Sequence, residues 1–213
     1  MPNWITNYVE ITGEPEKLAE LVTKTIKPLD DGEGVYFDFN GIIPMPEELS
    51  ITSGSQTDMG MACFNQQKFD RERQYSWFAD RYPNVETTAQ YKTVLEKENP
   101  EAVALGQQAM DNLAKYNAPT WYQWCNREWG TKWNTQDTEV IHQSDTALVV
   151  RFDTAWSSPT PIFDDLVSQG FTVNCVWQDE DPSNEGTYGE PYSVFDINQP
   201  PIEVSYFGDE REG

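Results

Sequence analysis

Residues 147–177, ALVVRFDTAWSSPTPIFDDLVSQGFTVNCVW, read as a strand, a helix and a second strand within one short stretch. The first run, Ala147 to Phe152, is apolar and rich in β-branched residues, which predicts a strand. Ser157-Ser158-Pro159-Thr160-Pro161 then opens a helix, with Thr160 as its cap and Pro161 at its first position. Ile162, Phe163, Leu166 and Val167 supply one apolar face, Gly170 stops the helix, and Phe171 to Trp177 returns to strand. A strand signal over Thr138 to His142 precedes this unit, with Ser144-Asp145 as a hairpin turn between the two strands.

The N-terminal end has the same grammar. Trp4 to Thr12 alternates through Ile5, Tyr8, Val9 and Ile11 and predicts a strand. Pro15 opens a helix over 15–27, with Leu18, Leu21, Val22 and Ile26 at helical spacing. A strand over Val35 to Phe39 follows, and the prolines Pro44 and Pro46 take the chain out of the sheet. Residues 47–67 read as a polar loop, 68–81 and 86–97 as helices, and Asn99-Pro100-Glu101 as the capped start of a helix through 116. Pro119 opens a further short helix ending at Gly130. Beyond the long unit, Tyr192 to Ile197 predicts a strand reached through a polar acidic loop, and Ile202 to Phe207 an edge strand. With 47–130 set aside as a mostly helical insertion, two β-α-β halves remain. The expected fold is therefore α+β: a single ferredoxin-like domain over 1–213, with helices on one face of an antiparallel sheet.

Composition narrows the chemistry. The chain has 36 acidic and 14 basic residues, a formal charge of −22. From Asp164 onward twelve acids face one base, Arg211. Such a surface repels phosphate backbones, so direct nucleic-acid binding is not expected, whereas a basic protein is attracted. No apolar run is long enough for a membrane span, and the N-terminus lacks the basic and apolar regions of a secretory signal. Cys63, Cys125 and Cys175 are few, odd in number and widely spaced, which fits reduced thiols rather than a disulfide framework or a zinc site. His142 is the sole histidine, and no glycine-rich phosphate loop occurs. No cofactor is called for.

Four of the eight tryptophans, Trp121, Trp124, Trp129 and Trp133, crowd into 119–134. Lys132 lies among them in a chain poor in bases, with Glu128 and Arg127 close in sequence. Two readings stand open. Either Trp129, Lys132, Trp133 and Glu128 surround a binding site through cation–π and acidic-ligand contacts, or the tryptophans pin the insertion on the sheet and Lys132 reaches outward; Trp156, carried as a binding candidate with them, favours a structural hub if it joins the cluster. Asp179, Asp181 and Glu185 with Ser183 and Glu190 have calcium-loop spacing, but Asn184 replaces the required glycine and strands flank the segment, so an acidic hairpin loop is the expectation.

Four segments together resemble a known family: Pro2-Asn3-Trp4 with Asn7 and Ile11-Thr12-Gly13; Phe39-Asn40-Gly41-Ile42-Ile43-Pro44-Met45-Pro46; Trp129-Gly130-Thr131-Lys132-Trp133-Asn134; and Phe152-Asp153-Thr154-Ala155-Trp156-Ser157. They are similar to the YubB-like, or Api-like, proteins of plasmids and phages, and stand in family order. The resemblance implies a ferredoxin-like domain and a protein of mobile genetic elements in the cytoplasm of a bacterial host. It implies no activity and no catalytic residue. The pattern is departed from at Ser158, where proline is expected. Taken with the charge, the sequence points to a non-catalytic interaction protein that binds a basic host or defence protein, with nucleic-acid mimicry as a specific version. The competing reading is a small-ligand binder or enzyme built on 128–133. Asp179, Asp181 and Glu185 join the indole cluster as candidate partner-binding residues.

Overall fold

The computed structural model describes residues 3–30, 32–181 and 183–190. In chain order the elements are β1 (Trp4–Thr12), α1 (Pro15–Thr25), β2 (Ile26–Pro28), β3 (Val35–Phe37), α2 (Ser55–Ala62), α3 (Gln66–Glu72), α4 (Ser76–Arg81), α5 (Thr88–Glu98), α6 (Pro100–Tyr116), α7 (Trp121–Glu128), β4 (Gln136–Gln143), β5 (Ala147–Ala155), α8 (Thr160–Ser168), β6 (Thr172–Asp179) and β7 (Glu185–Tyr188). The described residues fall into two compact units, one from 3–44 with 127–190, the other 45–126.

Among the described residues the first unit is a seven-stranded antiparallel sheet in the order β2-β3-β4-β5-β1-β6-β7. Its inner four strands, β4-β5-β1-β6, carry the strand order of a ferredoxin-like sandwich, with α8 linking β5 to β6. The role of second strand in that order falls to β4, after the helical insertion, while β2 and β3 widen the sheet at its edge. Alternation in β1 buries Ile5, Asn7, Val9 and Ile11 together. Across the register Val9 faces Val150 and Cys175, and Ile11 faces Leu148 and Val173, which makes one continuous apolar layer. Leu18 and Leu21 of α1, and Ile162, Phe163 and Leu166 of α8, are buried by packing on β5 and β6 respectively. Phe37, Phe39 and Phe152 fill the end of this core, the first stacked on the third at 5.6 Å between centroids. Burying each such ring contributes about 2–3 kcal/mol. The buried Asn7 amide donates to the Phe152 carbonyl and to Thr154 Oγ1, so a polar group in the core is met by β5.

The second unit is helical. Phe69, Phe78, Tyr82, Tyr91 and Leu95 form its centre, with rings 5.1–5.8 Å apart among the four aromatics. Tyr91 is fully buried. Helix α5 starts in a capping box, Thr87 with Gln90, and α6 starts on Asn99, whose side chain accepts from the Ala102 N–H.

Several expectations are corrected. Residues 47–67 are not a loop: α2 occupies Ser55–Ala62. A Cβ on Gly106 would lie 2.0 Å from the Gly60 carbonyl carbon, so α2 and α6 meet backbone to backbone, and contact rather than an apolar stripe holds the helix. The helix expected over 68–81 is two, α3 and α4, separated by the turn before Ser76. The helix expected through 27 ends at Thr25 and passes into β2. The strand expected through 39 ends at Phe37, because Asp38 accepts from the Asn40 N–H and starts a short 3-10 turn. Thr160 is the first residue of α8 rather than its cap, which is Pro159. Within the acidic segment taken as a loop, Glu185–Tyr188 is strand β7, paired with β6. The strands expected over Tyr192–Ile197 and Ile202–Phe207 lie outside the described residues.

Candidate partner-binding surface

The tryptophan-rich stretch separates into buried and half-buried parts. Trp129 is 4% exposed, meets Phe39 edge to face at 5.7 Å, and donates its indole N–H to the Ile43 carbonyl at 2.9 Å. Both its apolar body and its polar atom are engaged inside the unit. Gly130 follows at φ 74°, and a Cβ there would come within 2.5 Å of the Pro161 ring. That turn is available to glycine alone.

The next residues lace the segment to two strands. The Thr131 hydroxyl donates to the Ala155 carbonyl at 2.9 Å. Asn134 donates to Asp38 and accepts from the Phe39 N–H, while Thr135 exchanges hydrogen bonds with both backbone groups of Phe37. Sequence reading valued this block for its indoles and missed Thr131, Asn134 and Thr135. The available signal was a run of short polar side chains just before a strand, where such groups bind backbone rather than water.

Lys132 and Trp133 point elsewhere. Lys132 Nζ sits 4.0 Å from the Trp133 ring centre and 4.9 Å from that of Trp156. Trp156 is 48% exposed and holds φ at 71°, a backbone region that L-residues avoid. Its N–H donates to the Asn3 carbonyl at 2.9 Å. On the other side of Trp133, Trp4 lies at 6.2 Å between ring centres. Register explains the grouping: Trp4 pairs with Ala155 on β5, and Ile5 with Asp179 on β6. Trp4 also exchanges two hydrogen bonds with Glu180, its N–H to the carboxylate at 3.1 Å and its carbonyl from the Glu180 N–H at 3.2 Å. A continuous row therefore runs from Glu180 through Trp4 and Trp133 to Lys132 and Trp156.

The acidic turn adjoins that row. Asn184 donates to Asp179, and Ser183 donates twice to Asp181, which holds the Asp181 carboxyl below its ordinary pKa. Glu185 opens β7 opposite Gln178. Glu128 is paired with Arg127 at 2.7 Å. Among the described residues no group of three or more His, Cys, Asp and Glu side chains is placed to hold a metal ion.

A cavity of about 190 Å³ opens on the sheet face that carries Thr6 and Tyr8, with Arg151, Val176, Trp177 and Gln178. It is smaller than the roughly 300 Å³ at which small-molecule sites begin. Arg151 within it donates to the Asp137 carbonyl and pairs with Asp153. Burial outweighs that pairing and raises the Asp153 carboxyl. The thiols are buried, and desolvation pushes Cys63 up to about 11 and Cys125 up to about 12, with Cys175 higher still. At neutral pH they are protonated and poor nucleophiles. His142 stands on β4 opposite Val149.

Carboxylates are distributed unevenly between the units. Among the described residues the sheet unit has 19 acids against 6 bases, a formal charge of −13, and the helical unit 11 against 7, a charge of −4.

Residues 128–196 match a family model described as the ferredoxin-like domain in Api92-like protein. The match takes in the Trp-Gly-Thr-Lys-Trp block, β4, β5, α8, β6 and β7. A crystal structure of protein api92 from Yersinia pseudotuberculosis is similar at 11% identity and a TM-score of 0.39, over 88% of this chain and 93% of that one. A comparison with curated proteins finds no match. Among the described residues no helix is long and apolar enough to cross a membrane.

Proposed function

We propose that the chain is a non-catalytic interaction protein whose ferredoxin-like unit binds a basic protein. The observation that carries this reading is the charge division among the described residues, −13 on the sheet unit against −4 on the helical one. A surface charged only for solubility has no reason to favour one unit over the other. Closely set carboxylates raise the association rate of a basic partner and reject nucleic acid. The resemblance to Api-like proteins of plasmids and phages supports a partner drawn from the bacterial host, including a defence protein. In its sharpest form the carboxylates stand in for phosphates and fill a basic nucleic-acid groove.

Competition tests this. A basic, DNA-binding peptide is bound to a short labelled duplex, and the full chain is titrated in at rising salt. The chain is expected to displace the duplex, with its own affinity falling steeply as salt rises, because the association is electrostatic. Failure to displace the duplex, or an affinity indifferent to salt, contradicts the proposal.

A further inference from the structure

We propose that Trp156, with Trp133 and Trp4 beside it, is the seat for an arginine side chain of the basic partner; this rests on the binding reading above. Trp156 combines two properties that a purely structural tryptophan avoids. Nearly half of it faces solvent, and its backbone is left-handed. The residue is nonetheless held in place. Its N–H is bound by Asn3, Thr131 grips the preceding carbonyl, the Ser157 hydroxyl donates to the Gly130 carbonyl, and the Thr154 hydroxyl to that of Ser157. An exposed indole in a fixed frame offers contact area with little ordering cost, as at binding hot spots.

The π faces already show what they take. Lys132, a cation from the same chain, lies over Trp133 at 4.0 Å and over Trp156 at the longer 4.9 Å. An incoming cation competes for Trp156, where the internal contact is looser. A guanidinium suits this place better than an ammonium. It is flat, stacks on indole and is more weakly hydrated. At the far end of the row Glu180, bonded to Trp4, presents a carboxylate to a second basic residue of the same partner. Asp179 and Asp181 extend the same negative field, which matches a partner with further basic residues. Lys132 is then an internal placeholder, displaced from Trp156 on binding.

The experiment uses the full chain, poly-arginine and poly-lysine peptides of equal length, and calorimetry at near-physiological salt. Poly-arginine is expected to bind about fivefold more tightly than poly-lysine, the upper end for a cation–π contact at an exposed site. Trp156→Gly, which suits the left-handed backbone, is expected to erase that preference while leaving a salt-sensitive residue of binding. Lys132→Met is expected to tighten poly-arginine binding by removing the competitor. Equal binding of the two peptides, unchanged by Trp156→Gly, overturns the arginine seat and leaves the electrostatic reading standing. No binding of either peptide at any salt overturns the electrostatic reading itself. Unchanged or weaker poly-arginine binding in Lys132→Met overturns the placing of the arginine over Trp156 in competition with Lys132.

Discussion

Trp156 shows how one residue carries competing costs. A left-handed backbone costs an L-residue about 1–2 kcal/mol. Burying about half of an indole returns roughly 2 kcal/mol. These nearly cancel, so Trp156→Gly is expected to change unfolding free energy by less than about 1 kcal/mol, as read by urea denaturation. A loss above about 3 kcal/mol would make Trp156 a structural pin and leave no reason to seek a partner for it. Trp129 belongs to the other class, since its ring and its N–H are both spent within the core. The sequence named both tryptophans as candidates and had no means of sorting them. Burial depends on which strands flank each one, and Trp4, which completes the row beside Trp156, lies 129 positions from Trp133 along the chain.

Elements with an apolar period were legible, and those held by backbone contact were not. Helix α6 was readable from Asn99-Pro100 and its stripe, and β1, β5 and β6 from their β-branched runs. Helix α2 was missed because Ser55-Gln56-Thr57-Asp58 signals a loop, and its partner surface is a pair of glycines. Gly60 and Gly106 leave no room for a side chain: a Cβ on Gly60 would fall 1.8 Å from the Ala102 carbonyl oxygen. Gly106→Ala is therefore expected to cost at least about 3 kcal/mol, with helical circular dichroism lost at lower denaturant. A gain of up to about 1 kcal/mol, the ordinary effect of alanine for glycine in an uncrowded helix, would show that the two helices do not cross so closely. Strand β7 escaped notice for a different reason. Glu185-Gly186-Thr187-Tyr188 lacks apolar alternation, and its place depends on the Trp177 ring covering Gly186, where a Cβ would lie 2.4 Å from the indole.

At the scale of the whole molecule, total charge was plain from composition, and so was a ferredoxin-like sheet from the order of its elements. The division of that charge was not, because it requires knowing that the described residues of 3–44 and 127–190 fold together. The most direct test neutralises equal numbers of carboxylates on each unit. One variant carries Asp179→Asn, Glu180→Gln, Asp181→Asn and Glu185→Gln; the other carries Asp80→Asn, Glu86→Gln, Glu101→Gln and Asp111→Asn. Both change net charge alike, and binding to poly-arginine is measured at one salt concentration. The account predicts that affinity collapses, by about tenfold or more, in the first variant and barely moves in the second; an equal loss in both would mean that the carboxylates act only through total charge and mark no binding face.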